Sequence, residues 1–307
     1  SYIMKVLVIG GYGAFGRRIV NRIHSIPGLN VSIAGRSLNK RSVLHPATGR
    51  SIESHVIDIR SKGLANRLYD MGINLVIHTA GPFDASEAYA VARACITSSL
   101  HGQKCHYIDL ADNTDYVKGF SALNDEAVQA GCTLLTGAST TPAITSAVIE
   151  HFFPSTVSHF MYGGDSTSTL TSVTTDLSVA NSSMPGEGTV RSVLSYCGRP
   201  VEIVEDGHRK TISAWSHLKK THFFGMRKPR LCSDVDVPDN VIYMGQNKNA
   251  CLREFRFRAG VESYVSMLGL SAMATSVRWG LIRDWTPWSA PLLSLNALLR
   301  TLSGNGG

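Results

Sequence analysis

Residues Met4–Gly16, MKVLVIGGYGAFG, constrain the fold more than any other stretch of this chain. Met4–Ile9 is an almost unbroken apolar run, which suits a strand buried on both faces of a parallel sheet. Gly11-x-Gly13-x-x-Gly16 follows at once, and apolar residues then recur at helical spacing: Phe15, Ile19, Val20, Ile23 and Ile26. A strand, a glycine turn and a helix in that order make the Gly-x-Gly-x-x-Gly pattern informative. The first glycine permits the tight turn, the second lets a pyrophosphate approach the backbone, and the third lets the helix pack close to the strand. The free N–H groups of the helix N-terminus then face the phosphates. The stretch therefore predicts a bound dinucleotide, with Gly11, Tyr12, Gly13, Ala14, Phe15 and Gly16 around its pyrophosphate.

A second strand, Asn30–Ala34, runs into Gly35-Arg36-Ser37. An NAD-binding fold places an acid about 20 residues beyond the motif, on the ribose 2′-hydroxyl. Position 36 is Arg instead, with Lys40 one helical turn on and no acid between Asn30 and Lys40. Arg36 can pair with a 2′-phosphate through two N–H donors and stack on adenine. Arg36, Ser37 and Lys40 thus point to NADP(H); the competing reading of Arg36 is a solvated surface residue.

The third strand is read as Ser54–Ile59, with Asp58 and Ile59 beside the adenine and Asp58 either accepting from its amino group or merely ending the strand. The fourth is Asn74–Thr79. Ala80-Gly81-Pro82-Phe83 breaks it, and small residues there let the backbone reach the second ribose and the nicotinamide, with Thr79, Ala80, Gly81 and Pro82 as the candidate contacts. His78, within that buried strand, reads as a core histidine before it reads as an acid. Ala88, Val91, Ala92, Cys95 and Ile96 mark the next helix. The fifth strand, Cys105–Leu110, leads to Asp112 and Asn113, and Asn113 or Thr114 can cap a helix that buries Tyr116, Val117, Phe120, Leu123, Ala127 and Val128. Cys132–Thr136 is the sixth strand, and Pro142 opens a helix out of the domain. Six strands alternating with helices make a doubly wound parallel sheet of the Rossmann type, with ligands at its carboxyl ends. Asp109 and Asp112, both at that edge, are the candidate proton-transfer groups, on position alone.

The 307 residues favour two domains, read as 1–140 and 141–307. In the second, Val157–Gly163 and Leu170–Ala180 read as strands, Met184–Gly188 as a turn or cleft-facing loop, and Thr189–Tyr196 as a helix stopped by Gly198. Asp206-Gly207 between Val201–Glu205 and Lys210–Trp215 is a hairpin signal. Leu252–Arg258 alternates, with Phe255 and Phe257 on one face and Arg256 and Arg258 on the other. The expectation is an α+β domain on a mostly antiparallel sheet. Lys219, Lys220, Arg227, Lys228 and Arg230 form the densest basic cluster, read as a solvated loop or a carboxylate receptor. Tyr264–Ile282 and Pro291–Leu302 read as helices packing on the protein; the second falls short of the ~20 residues a membrane span needs, and a peripheral membrane contact is not favoured.

Thirty basic against 23 acidic side chains give a net charge of +7, which suits an anionic ligand. The basic residues are dispersed and carry no nucleic-acid motif, so nucleic acid is not an expected partner. The six cysteines show no metal spacing and read as reduced thiols. With no signal peptide recognised, the expected location is cytoplasmic.

GGYGAFG, AGRS, HTAGPF, YIDLADN and GASTTPA, in this order and spacing, resemble the saccharopine dehydrogenase-like family over Met4 to about His151, and SMPGEGTVRSVL and FRFRAGVE extend the likeness weakly. The likeness is closest to bacterial members of unassigned substrate. It implies NADP(H) and hydride transfer, often at an imine carbon joining an amine to a keto acid, with the nicotinamide near Gly81, Pro82 and Asp112. The family name also covers carboxynorspermidine and homospermidine enzymes and lipid enoyl reductases. Saccharopine-forming members are expected to carry a DPG-like turn after strand six, where this chain has Thr141-Pro142-Ala143, which argues against saccharopine as substrate. The family usually continues with further strands, so the second domain is expected to be incomplete. A small-molecule substrate, a homodimer, and a non-enzymatic NADP(H) sensor as the rival function complete the expectations.

Overall fold

The computed structural model describes residues 3–37, 52–81, 83, 89–157, 160, 170–179, 187–244 and 252–294, with 187–189 as backbone only. Lys40, Pro82, Ala88, Met184–Gly186, Cys251 and the chain from 295 onward lie outside these residues. The chain divides into two compact units, Ser1–Ile144 and Thr145–Gly307.

The first unit is built on a six-stranded sheet of order β3-β2-β1-β4-β5-β6, every pair parallel. Its strands are β1 Met4–Ile9, β2 Leu29–Gly35, β3 Ser54–Val56, β4 Leu75–His78, β5 His106–Asp109 and β6 Leu134–Leu135. The order reverses between β1 and β4, and a crevice opens beyond the carboxyl ends at such a point. Helices α1 Ala14–Ile23, α2 Leu64–Asp70, α3 Ala90–Leu100, α4 Thr114–Phe120 and α5 Asn124–Ala130 connect the strands. Val6, Val8, Val20, Val31 and Ile33 form one core layer. Leu7, Ile9, Val76, Tyr107 and the α2–α5 residues form the other. The apolar run Val6–Ile9 of β1 follows from that double coverage.

Several expectations need correction. The α1 stripe is narrower than its spacing promised: Gly16 and Val20 are buried, whereas Phe15 is 55% exposed and Ile26 48%. The third strand ends at Val56, because Asp58 turns the chain: its Oδ1 accepts from Arg60 N and its carbonyl from Ser61 N. The helix expected to run through Val128 is two, α4 and α5, parted by a turn at Ser121–Leu123, and Val128 lies on the outside. The helix expected from Pro142 is formed: Thr141, the residue before the proline, is extended (φ −118°, ψ 125°), and Pro142–Ile144 make a wide helical turn that runs into the helix Thr145–Phe152.

The second unit carries a mostly antiparallel sheet, β10-β11-β12-β8-β9, with β7 paired parallel to β12. These strands are β7 Ser172–Val179, β8 Pro200–Glu205, β9 His208–Ser213, β10 Leu218–Thr221, β11 Arg230–Asp234 and β12 Glu254–Val261. Asp206 and Gly207 both have positive φ and close the β8–β9 hairpin, as expected of that dipeptide. The strand expected over Val157–Gly163 is not formed: Thr156, Val157 and Phe160 are helical, and the rest of that stretch lies outside the described residues. Phe160 instead fills a core with Tyr243 and Phe255. Gly198, at φ +75°, stops the helix Glu187–Ser195. Tyr264–Arg278 is a 15-residue helix, and no described helix is long and apolar enough to cross a membrane.

Candidate functional site

The site is the carboxyl edge of the first sheet, and Gly10–Gly16 forms its centre. Gly10 (φ +84°) lies against β4: a Cβ there would sit 2.7 Å from Thr79 Oγ1. Thr79 in turn donates through both its N–H and its hydroxyl to the carbonyl of Ile9, tying β4 to β1 at the switch point. A Cβ at Gly11 would strike Ile33, and one at Gly16 would sit 2.3 Å from the Gly10 carbonyl, so packing alone demands both glycines. Gly13 differs. A Cβ there meets one protein atom, the Gly10 carbonyl at 3.1 Å, and otherwise leans into open space.

That open space is bounded by the N-terminus of α1, which has no side-chain cap and no acid in its first turn. Ala14 and Phe15 are its first two residues, both exposed. Uncapped N–H groups and the positive end of the helix dipole suit a phosphate. The residues present therefore fit a dinucleotide pyrophosphate. Tyr12 extends the floor toward β2, its ring 3.1 Å from where a Cβ on Gly35 would lie. Arg36 and Ser37 follow, both exposed, and Arg36 has no ion pair among the described residues. Asp58 is exposed at the neighbouring strand end, with one carboxylate oxygen engaged by Arg60 N; Ile59 packs against the core.

On the other side of the switch point, Asp109 ends β5 with no exposure to solvent. Its Oδ1 accepts from Ala111 N (3.0 Å), Thr136 Oγ1 (2.9 Å) and Gly137 N (2.9 Å), and its Oδ2 from the Tyr107 hydroxyl (3.0 Å). Burial raises its carboxyl above the ordinary range, and the four donors oppose that shift. Asp109 thus pins the loops after β5 and β6 to each other. Asp112 is different: it is exposed, and no side chain or charge partners its carboxylate among the described residues. Surrounding protein still desolvates it enough to raise its pKa. Asn113 caps α4, its Oδ1 accepting from Tyr116 N at 2.9 Å. Thr79 and Ala80 are half-buried and Gly81 is exposed along the same edge.

The donors to Asp109 were not singled out from sequence. One signal existed: His78 and Asp109 are register partners at the ends of β4 and β5, and Tyr107 lies two residues before Asp109, hence on the same face. The basic cluster is an exposed hairpin at Lys219, Lys220, Arg227 and Lys228, while Arg230 pairs with Glu262 at 3.0 Å. Among the described residues no group of His, Cys, Asp and Glu could hold a metal.

No protein-family model matches the sequence, and no curated protein matches it. A solved structure of saccharopine dehydrogenase (L-Glu forming) from Saccharomyces cerevisiae matches at a TM-score of 0.59 and 16% identity, over 83% of this chain. In fold, the chain resembles saccharopine dehydrogenase. It spans about half of that enzyme, 54% of its length. A short-chain dehydrogenase/reductase family oxidoreductase from Burkholderia thailandensis aligns over 50% of this chain and 76% of its own, at 18% identity and a TM-score of 0.34. The UDP-Glc/GlcNAc 4-epimerase from Campylobacter jejuni aligns over 67% and 66%, at 11% and 0.34.

Proposed function

We propose that the chain is an NADP(H)-dependent oxidoreductase of the saccharopine dehydrogenase-like type, moving a hydride to or from an imine or carbonyl carbon of a small substrate. The observation that carries this reading is the pairing of an uncapped helix N-terminus behind Gly13 with an exposed Arg36 at the end of β2 that has no ion pair among the described residues. The dinucleotide, when bound, supplies the hydride. Gly13 lets the pyrophosphate reach the backbone, the first turn of α1 donates to it, and Arg36 receives the 2′-phosphate, with Lys40 a second cation. Asp112 is the proposed proton-transfer group, being accessible with a raised pKa; Asp109 has its acceptor sites filled and holds the loops.

The test is a titration of the full chain with NADPH and NADH at fixed salt. Arg36 should favour NADPH by roughly 10- to 100-fold, the worth of one hydrogen bond to a charged group. Arg36→Asp should invert the preference, since it also sets a negative charge beside the phosphate. Equal affinity of the wild type for both nucleotides overturns the assignment. With turnover found on a panel of keto acids and amines, Asp112→Asn should keep NADPH affinity and lose roughly 10²–10⁴-fold in kcat.

A further inference from the structure

His78 ends β4 and is 3% exposed, its ring edge-on to Phe83 at 5.0 Å. The hydrogen bonds around it fix its protonation. The Tyr107 hydroxyl has a single proton, which goes to Asp109 Oδ2 at 3.0 Å. Its remaining capacity is to accept. It lies 3.3 Å from the Tyr116 hydroxyl and 3.1 Å from His78 Nδ1, so His78 must donate through Nδ1–H. Burial lowers the imidazole pKa to about 4, against a backbone hydrogen bond with Ala80 that favours the ring's N–H, and the ring stays neutral. Nε2 is therefore a bare acceptor, directed away from Tyr107. It is buried and, among the described residues, makes no well-formed hydrogen bond. A buried acceptor left unpaired in a structure whose neighbours are so fully paired calls for a partner supplied from elsewhere.

The position of His78 says which partner. β1 and β4 flank the switch point. The pyrophosphate belongs on the β1 turn and the adenosine half on the β2 side, by Arg36. The other half of the ligand then falls toward β4 and β5, beside the Thr79-Ala80-Gly81 segment that follows His78 directly. We infer that His78 Nε2 accepts a hydrogen bond from the carboxamide N–H of the nicotinamide, with Tyr107 and Asp109 as positioning residues that hold the required tautomer. This rests on the NADP(H) reading above. It adds a contact that orients the hydride-carrying ring.

The experiment compares two ligands on the full chain: NADPH, and 2′-phospho-ADP-ribose, which has the same phosphates and adenosine but no nicotinamide. Calorimetry should show His78→Phe weakening NADPH by roughly 2- to 10-fold, the range for one neutral hydrogen bond, with 2′-phospho-ADP-ribose unchanged. His78→Gln, which retains an acceptor, should recover part of the loss. A second measurement uses unsubstituted protein and is independent of any folding defect. The ¹⁵N resonance of His78 Nε2 should sit at the unprotonated position in the free protein, then move on adding NADPH and stay on adding 2′-phospho-ADP-ribose. Equal weakening of both ligands, or an Nε2 resonance indifferent to NADPH, overturns the inference and leaves the cofactor reading standing. Wild-type protein that binds neither ligand overturns both.

Discussion

Asp109 in the first unit and Asp239 in the second are buried carboxylates held in opposite ways. In the first, Asp109 has four donors and no solvent exposure. In the second, Asp239 is equally buried, at 2% exposure, but its carboxylate is opposed only by Thr145 and the Tyr243 hydroxyl one turn on only by Ser146, and neither Asp239 Oδ2 nor that hydroxyl makes a well-formed hydrogen bond among the described residues. Burial pushes Asp239 up to about 6 and raises Tyr243 as well. The second unit places its good charge pairing elsewhere, along β7 and β12. Arg258 clasps Asp176 with two bonds, at 2.7 and 3.0 Å, and Arg256 reaches Asp234 and Glu205. The first unit uses charge to hold ligand-edge loops; the second uses it to register strands. Loop-holding charge at a sheet's carboxyl edge is what a binding crevice requires.

The largest expected effect breaks this contrast directly. Asp109→Ala leaves four buried or half-buried donors unpaired at about 1–3 kcal/mol each, partly relieved by water. The first unit should lose about 4 kcal/mol or more, read as lost hydrogen-exchange protection of the β1 and β4 amides. Asp239→Asn, by contrast, should leave the second unit unchanged or more stable at neutral pH. A loss under 1 kcal/mol for Asp109→Ala would mean that the four bonds are incidental.

The next prediction concerns pH, and the two units should move in opposite directions. Asp239 is raised from an unfolded value near 3.9 to about 6. Its folded state holds the proton longer, so the second unit loses stability as pH rises from about 4 to 6, by about 3 kcal/mol in all. His78 is lowered from near 6.5 to about 4. Its unfolded state holds the proton longer, so His78 by itself adds about 3 kcal/mol to the first unit as pH rises from 4 to 6.5, opposed at the acid end by the raised carboxyls of Asp109 and Asp112. All four tryptophans, Trp215, Trp279, Trp285 and Trp288, belong to the second unit, so tryptophan fluorescence follows that unit by itself. Its melting temperature should fall between pH 4 and 6, and Asp239→Asn should flatten that slope. Hydrogen exchange in β1 should show the reverse trend. Parallel trends in both units would sink the comparison.

How legible each unit was follows from the same physics. The Rossmann-type order could be read because strands covered on both faces must be continuously apolar, as Val6–Ile9 and Leu75–Ile77 are. The β8–β9 hairpin could be read because Asp-Gly supplies two positive φ angles. The stretch at Val157–Gly163 misled because a short run of Val, Phe, Met and Tyr suits a buried helix as well as a strand. Asp109 and Asp112 look alike in sequence, three residues apart. What separates them is tertiary: one meets Thr136 and Gly137 from the loop after β6, the other is exposed. The orphan on His78 was invisible for the same reason, since it depends on which neighbour claims the Tyr107 proton.

The smallest effect sharpens the contrast at the level of single glycines. Gly207 (φ +78°) closes the β8–β9 hairpin with nothing within 4 Å of where a Cβ would stand. Gly137 (φ +77°) has nearly the same backbone, but a Cβ there would lie 2.8 Å from Pro142 Cδ, in the loop that Asp109 holds through Gly137 N. Alanine at either site meets the same left-handed penalty of about 1–2 kcal/mol. At Gly207 nothing is added, so the second unit should lose about 1 kcal/mol in a urea melt followed by tryptophan fluorescence. At Gly137 the proline ring cannot swing away, and yielding would stretch bonds to a buried carboxylate. Gly137→Ala should therefore cost at least twice as much, read by exchange in the first unit. Equal costs would show that the ligand-edge loop yields as freely as an exposed hairpin, and that Asp109 does not hold it.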